Sequence, residues 1–168
     1  MRAKTSKRFL AYLIDIILIG IMLTMVGNVL VDQNKVAELN NELNEVNEKM
    51  LNNEIKMSKV FKEYAVITKQ LDLEHVMLNV VTIIFILIYF VFVPYYNEGQ
   101  TIGPKLLNIR IVTRDGSKLT INKLMLRNFI INGLAYMSVG LTFLYLFSGK
   151  TYFILVSILG FIQLGLVM

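Results

Sequence analysis

Four apolar runs divide the chain: Phe9–Val31, Val76–Tyr96, Leu124–Phe147 and Tyr152–Met168. A helix needs about 20 predominantly apolar residues to cross a bilayer. The first three runs therefore predict spans, and the shorter fourth predicts a tilted one. Between the first two runs the pattern changes. Val36, Leu39, Leu43, Val46 and Met50 recur at steps of three and four, and Met57, Val60, Tyr64, Ile67 and Leu71 continue the series. That spacing is a heptad seam, with Asn53 between its two halves. Both ends of the insertion 33–75 must return to the membrane, so the pattern predicts two helices that turn near Leu51–Glu54 and pack seam to seam. Either the pair packs only on itself, or it offers a coiled coil to a partner.

The segment 97–123 follows neither pattern. Gly99, Gly103 and Pro104 predict an end to the second span, because glycine and proline propagate a helix poorly. "NIRIVTRDGSKLTI" alternates apolar and polar residues about Asp115–Gly116, a hairpin turn signal. A small β-hairpin is expected there, with Thr120 or Asn122 capping the next helix. The expected fold is one all-α membrane domain over residues 1–168. It has four transmembrane helices, a helical hairpin on one side and a β-hairpin on the other.

Composition sharpens this picture. The chain is 55% hydrophobic and only 17% charged, with a net charge of +5. In a membrane protein that excess reads as basic residues flanking spans beside an anionic leaflet, not as a nucleic-acid surface. Arg2, Lys4, Lys7 and Arg8 precede the first span, and Lys105, Arg110, Arg114, Lys118, Lys123 and Arg127 lie in or next to 97–123. By the positive-inside rule the N-terminus and 97–123 are expected in the cytoplasm, and 33–75 outside. The first run is too long for a signal peptide and lacks a small-x-small cleavage site, so it is expected to be retained. With no cysteine and one histidine, thiol chemistry is excluded and a metal cluster is not expected. His75 falls at a span edge and reads as a boundary residue. Without a catalytic set or phosphate loop, neither enzymatic activity nor a cofactor is expected.

Asp15 is the chemical anomaly. An ionised carboxylate at mid-bilayer costs about 2.5–3.5 kcal/mol, and Asp15 lies about 9 Å beyond Phe9 at 1.5 Å per residue. Arg8 shares its helix face at a spacing of seven, and Arg127 enters the third span from the same side. An Arg8–Asp15–Arg127 cluster is expected, either as a structural ion group or as a transport site. Two further lines, Gly20–Thr24–Asn28 and Asn128–Asn132–Tyr136–Gly140, predict helix-packing seams of small and amide residues.

The stretch "KRFLAYLID" resembles the R-x-x-A-x-x-x-D signature of the RDD family of bacterial membrane proteins. "GQTIGPKLLNIRIVTRDGSKLTINKLMLRNFI" is similar to that family's G-x-T-x-G-K and DG…LLRN block. The matching positions are Arg8, Ala11, Asp15, Gly99, Thr101, Gly103, Lys105, Val112, Asp115, Gly116, Arg127 and Asn128. Two departures stand out. Pro104 separates the glycine from its lysine, and no acidic residue follows Asp115, where members usually carry a second aspartate. The resemblance implies a multi-pass protein of the bacterial cytoplasmic membrane with a transport role. Two functions are expected from this reading. One is a small transporter or ion-coupled carrier using the charge cluster, as a homo-oligomer because four helices enclose little space. The other is a non-enzymatic accessory protein presenting 33–71 to an extracytoplasmic partner.

Overall fold

The computed structural model describes residues 4–113 and 119–167, and the regular structure among them is helical. The first helix, α1 (Thr5–Leu30), is apolar over most of its circumference. Phe9, Ile17, Ile21, Met25 and Val29 are exposed on it, as expected for side chains that face lipid hydrocarbon. Asp32 then caps α2 (Gln33–Leu51), its Oδ1 accepting from the backbone N–H groups of Asn34 and Lys35 at 3.0 and 3.1 Å. This is the side-chain N-cap that satisfies otherwise orphaned donors.

Helices α2 and α3 (Met57–Glu74) pack as a hairpin about a core of Leu39, Val46, Val60 and Ile67, with Leu43, Met50, Tyr64 and Leu71 against it. The turn falls where expected: Asn53 reverses the chain in the left-handed region at φ 57°, which asparagine tolerates better than most residues. One seam position departs from expectation. Met57 is exposed, and Ile55 packs on the core in its stead. Helix α3 also packs on α9 (Gly149–Val167). There Ala65 is fully buried, and a Cβ on Gly149 would lie 3.4 Å from the Ala65 carbonyl oxygen. Two small residues thus allow close approach, and Phe61 and Phe153 meet edge to face beside them, centroids 5.4 Å apart.

A single residue, His75, separates α3 from α4 (Val76–Leu87). Its Nδ1 donates back to the Leu71 carbonyl at 2.7 Å, so this histidine closes a helix. The helical path from Val76 continues through a π-helical turn, Ile88–Phe92, into α5 (Val93–Tyr96). Proline at 94 has no N–H to give, and such a residue inside a helix disturbs the hydrogen-bond ladder. The expected break beyond Tyr96 is only partly right. Gly103 and Pro104 lie within a short helix, α6 (Ile102–Leu106), where proline in the first turn forfeits no intrahelical bond.

The β-hairpin expected in 97–123 is not formed: among the described residues there is no strand. Ile109–Thr113 instead folds back on the turn after α5. The Ile111 N–H donates to the Gly99 carbonyl at 2.8 Å, and Gln100 Nε2 donates to the Ile109 carbonyl at 2.8 Å. Ile109 and Ile111 are thus held by loop bonds to Gln100 and Gly99, not by a ladder. Asp115 and Gly116 lie outside the described residues.

Thr120 caps α7 (Ile121–Ile131), which stops at Asn132–Gly133 before α8 (Leu134–Leu146) begins. The third expected span is therefore broken at Gly133, whose φ of 65° suits glycine. Thr5–Leu30, Val76–Tyr96 and Gly149–Leu166 are each long and apolar enough to cross a membrane, and α7 with α8 makes a fourth if taken as one broken span. The contacts divide into two compact units, Met1–Val26 with Val81–Leu134, and Gly27–Val80 with Ala135–Met168.

Candidate functional site

Asp15 sits on the buried line of α1, between Ala11 and Ile19, and is only 2% exposed. Its partners are neutral. Thr101 Oγ1 donates to Oδ2 at 2.6 Å, Tyr89 OH donates to Oδ1 at 2.7 Å, and the Gly103 N–H donates to the same oxygen at 2.7 Å. All three bonds are donated to the aspartate, a pattern that a carboxylate accepts in full. Hydrogen bonds to a charged group contribute about 1.5–3 kcal/mol each. Three of them offset an insertion cost of about 2.5–3.5 kcal/mol.

Each donor has a local reason for its position. Thr101 is the N-cap residue of α6, and Gly103 offers one of the first N–H groups of that helix, which have no intrahelical partner. Gly103 must also be small, because a Cβ there would overlap the Ala11 carbonyl oxygen. Tyr89 belongs to the π-helical turn, where the extra residue re-aims side chains relative to the ordinary helical frame. Its hydroxyl accepts from the Ile102 N–H at 3.3 Å, so it joins α1 to the start of α6. Gly99 serves the loop at φ 82°, with the Ile111 carbonyl oxygen filling the place where a Cβ would be. Positions separated by almost ninety residues thus converge on one carboxylate.

The expected arginine cluster does not form. Among the described residues neither Arg8 nor Arg127 makes an ion pair with Asp15. Arg8 is exposed and reaches Thr5 Oγ1 on its own helix. Arg127 is partly buried, and its charge acts on Asp15 and Tyr12 through space. Lys105 is exposed near the end of α6. The Gly20–Thr24–Asn28 line is not a seam. Gly20 and Asn28 are exposed, and the Thr24 hydroxyl donates to the Gly20 carbonyl within its own helix.

Of the second polar line, Asn128 and Asn132 bond within the fold. Asn128 is 2% exposed, and its Nδ2 donates to the Phe90 carbonyl at 3.0 Å and the Leu124 carbonyl at 2.7 Å. Phe90 is the residue whose carbonyl would accept from position 94 in a regular helix, and position 94 is proline. Asn128 therefore supplies the donor that Pro94 lacks. Asn132 Nδ2 donates to Asn128 Oδ1, and Tyr12 OH donates to Asn132 Oδ1 at 2.9 Å. This chain ties α7 to both α1 and the π-helical turn. Asn128→Leu is expected to cost about 1–3 kcal/mol by stranding the Phe90 carbonyl. The melting temperature in detergent should fall accordingly and recover partly in Asn128→Leu/Pro94→Ala, because residue 94 regains an N–H.

Sequence reasoning placed Asp15, Thr101 and Gly103 among the residues of interest but missed Tyr89 as their partner. A tyrosine in an apolar run carries no signal of its own; only its position ahead of Pro94 hints at an irregular turn. Among the described residues no three His, Asp or Glu side chains gather as a set that could hold a metal ion. No curated protein and no solved structure matches the chain. The model of the RDD family matches residues 2–166.

Proposed function

The chain belongs to the RDD family, and from that premise we propose that it is a non-enzymatic multi-pass membrane protein whose α2–α3 hairpin engages a protein partner. In this reading the N-terminus lies in the cytoplasm and the hairpin outside, as the basic flanks favour. The observation that carries it is the placement of α2. Its substantial packing is with α3, so the hairpin adds a helix whose other faces remain open. The exposed face carries Glu38, Glu42, Glu45 and Glu48 against Lys35 and Lys49. The lysines are engaged by Glu38 at 2.8 Å and Glu45 at 3.7 Å. Glu42 and Glu48 leave the surface acidic, which suits a partner with a basic surface.

Asp15 supports the same reading from the opposite direction. Both oxygens are occupied by donors from two other segments. A cargo ion would have to displace them and loosen α6 from α1. Asp15 is in this view a clasp.

The test uses the absence of native cysteine. A single cysteine at Glu42 is expected to react with a membrane-impermeant maleimide added outside cells, and one at Lys123 only after permeabilisation. A photo-crosslinking residue at Glu42 should give a discrete protein adduct in native membranes. Glu38→Lys/Glu45→Lys and raised salt should both weaken that adduct. Labelling of Lys123→Cys from outside, or an adduct indifferent to both charge reversal and salt, would refute the proposal.

A second reading, a small transporter, draws on a different observation. The π-helical turn at Ile88–Phe92 and the break at Gly133 are the kind of irregular backbone from which transporters build midplane sites. Solute or cation flux in vesicles that is lost in Asp15→Asn while protein level and melting temperature stay normal would favour it over the clasp.

A further inference from the structure

In the second compact unit, which does not contain Asp15, a cavity of about 70 Å³ is lined by Asp72, Asn79, Tyr136 and Tyr152, with Leu141 and Val156 in its apolar wall. Tyr152 OH donates to Asp72 Oδ2 at 2.6 Å. Among the described residues Asp72 Oδ1, the Tyr136 hydroxyl and the Asn79 side-chain amide have no hydrogen-bond partner. Asp72, Asn79 and Tyr136 are each half-buried, and none of these unpaired atoms is sealed from its surroundings, so three acceptors that a ligand can reach line one space. Asp72 and Tyr136 also interact electrostatically. Burial raises the Asp72 carboxyl above its ordinary range, while the Tyr152 bond and the charge of His75 pull it back.

We propose that this cavity binds a primary ammonium group, carried by a small soluble amine or by an ethanolamine headgroup. An ammonium presents three N–H donors, matching the three free acceptors: Asp72 Oδ1, Tyr136 OH and the Asn79 carbonyl oxygen. The charge balances the single carboxylate. The apolar wall suits the first carbons of an alkyl chain. A calcium-like hard cation fits less well, because it takes 6–8 oxygen ligands and half of this lining is hydrocarbon. The size agrees, since a space of about 70 Å³ well exceeds the roughly 10–15 Å³ that one water needs. The site lies at the base of the hairpin, with Asp72 on α3 and Tyr152 on α9, and it does not depend on the hairpin having a protein partner.

The test is radiolabelled methylammonium binding to the full chain in detergent. Saturable binding is expected, weakened about tenfold (~1.4 kcal/mol) in Asp72→Asn and several-fold in Tyr136→Phe, a change that keeps the ring. Ethanolamine should compete, whereas tetramethylammonium, which lacks N–H donors, and sodium at equal ionic strength should not. In nanodiscs, loss of methylammonium binding with phosphatidylethanolamine but not phosphatidylcholine would assign the headgroup as the source. Equal binding in the two would assign a soluble amine. Three outcomes would overturn the site: no saturable binding, competition by sodium as strong as by ethanolamine, or wild-type affinity in both variants.

Discussion

Gly103→Ala is expected to prevent stable folding although alanine is the better helix former. The new Cβ would overlap the Ala11 carbonyl oxygen and lie 2.9 Å from its carbonyl carbon and 3.0 Å from Asp15 Oδ1. Two of these three atoms are backbone, so no rotamer change can relieve the contact, and Ala11→Gly would not help. Relief requires α6 to move off α1, which breaks the Gly103 N–H bond and strains the one from Thr101. Overpacking of this kind costs about 1–3 kcal/mol, and the lost charge-assisted bonds add about 1.5–3 kcal/mol each. Gly20→Ala is the control, because a Cβ there meets nothing within 4 Å. Thermal unfolding of both variants in detergent checks the pair: a normal melting temperature for Gly103→Ala would mean that the close approach is not as described.

The second large effect is at Asp15 itself. Asp15→Ala removes one acceptor group and leaves the Tyr89 hydroxyl, the Thr101 hydroxyl and the Gly103 N–H without it. At about 1–3 kcal/mol for each stranded buried group, the total is comparable to the stability of a whole domain, ~5–15 kcal/mol. Asp15→Asn keeps the shape and one carbonyl acceptor. It is expected to lose about 1.5–3 kcal/mol, chiefly at Thr101, where an amide N–H₂ would meet the hydroxyl. Thr101→Val should cost less than Asp15→Ala, since two donors to the carboxylate survive. A melting temperature lowest for Asp15→Ala, higher for Asp15→Asn and highest of the three for Thr101→Val is the signature of a clasp. A normal melting temperature for Asp15→Asn would contradict it.

How much of this was legible in the sequence differs by element. The hairpin was largely visible, because Leu39, Val46, Val60 and Ile67 form its core and heptad spacing reports such a seam directly. Asp15 was visible as an anomaly, but its partners were not. Formal charges can be paired on paper, and that pairing favoured Arg8 and Arg127 over a tyrosine hydroxyl, a threonine hydroxyl and a backbone N–H. The last has no side chain to see. Gly103 and Pro104 were visible as irregular residues, yet the same two letters that end a long helix also fit the first turn of a short one. The Gly20–Thr24–Asn28 line failed for another reason: small polar residues at helical spacing fit a protein seam, but spacing does not say which way a stripe faces. The β-hairpin failed because alternation over so few residues fits equally well the bonds that Ile109 and Ile111 make to Gln100 and Gly99.

The clasp also has a direction in time. Asp15 accepts from residues 74, 86 and 88 positions further along the chain. During synthesis α1 emerges with its carboxylate and none of these three donors. Until residue 89 is made the helix carries an acid with none of its donors, and the set is complete only at residue 103, so its early insertion is metastable. Closing so long a loop has an entropic cost that grows only slowly with length, and the bonds from Thr101 and Gly103 join that from Tyr89 once α6 docks. Completion of the second span and its following loop is thereby the step that commits the first helix to its place.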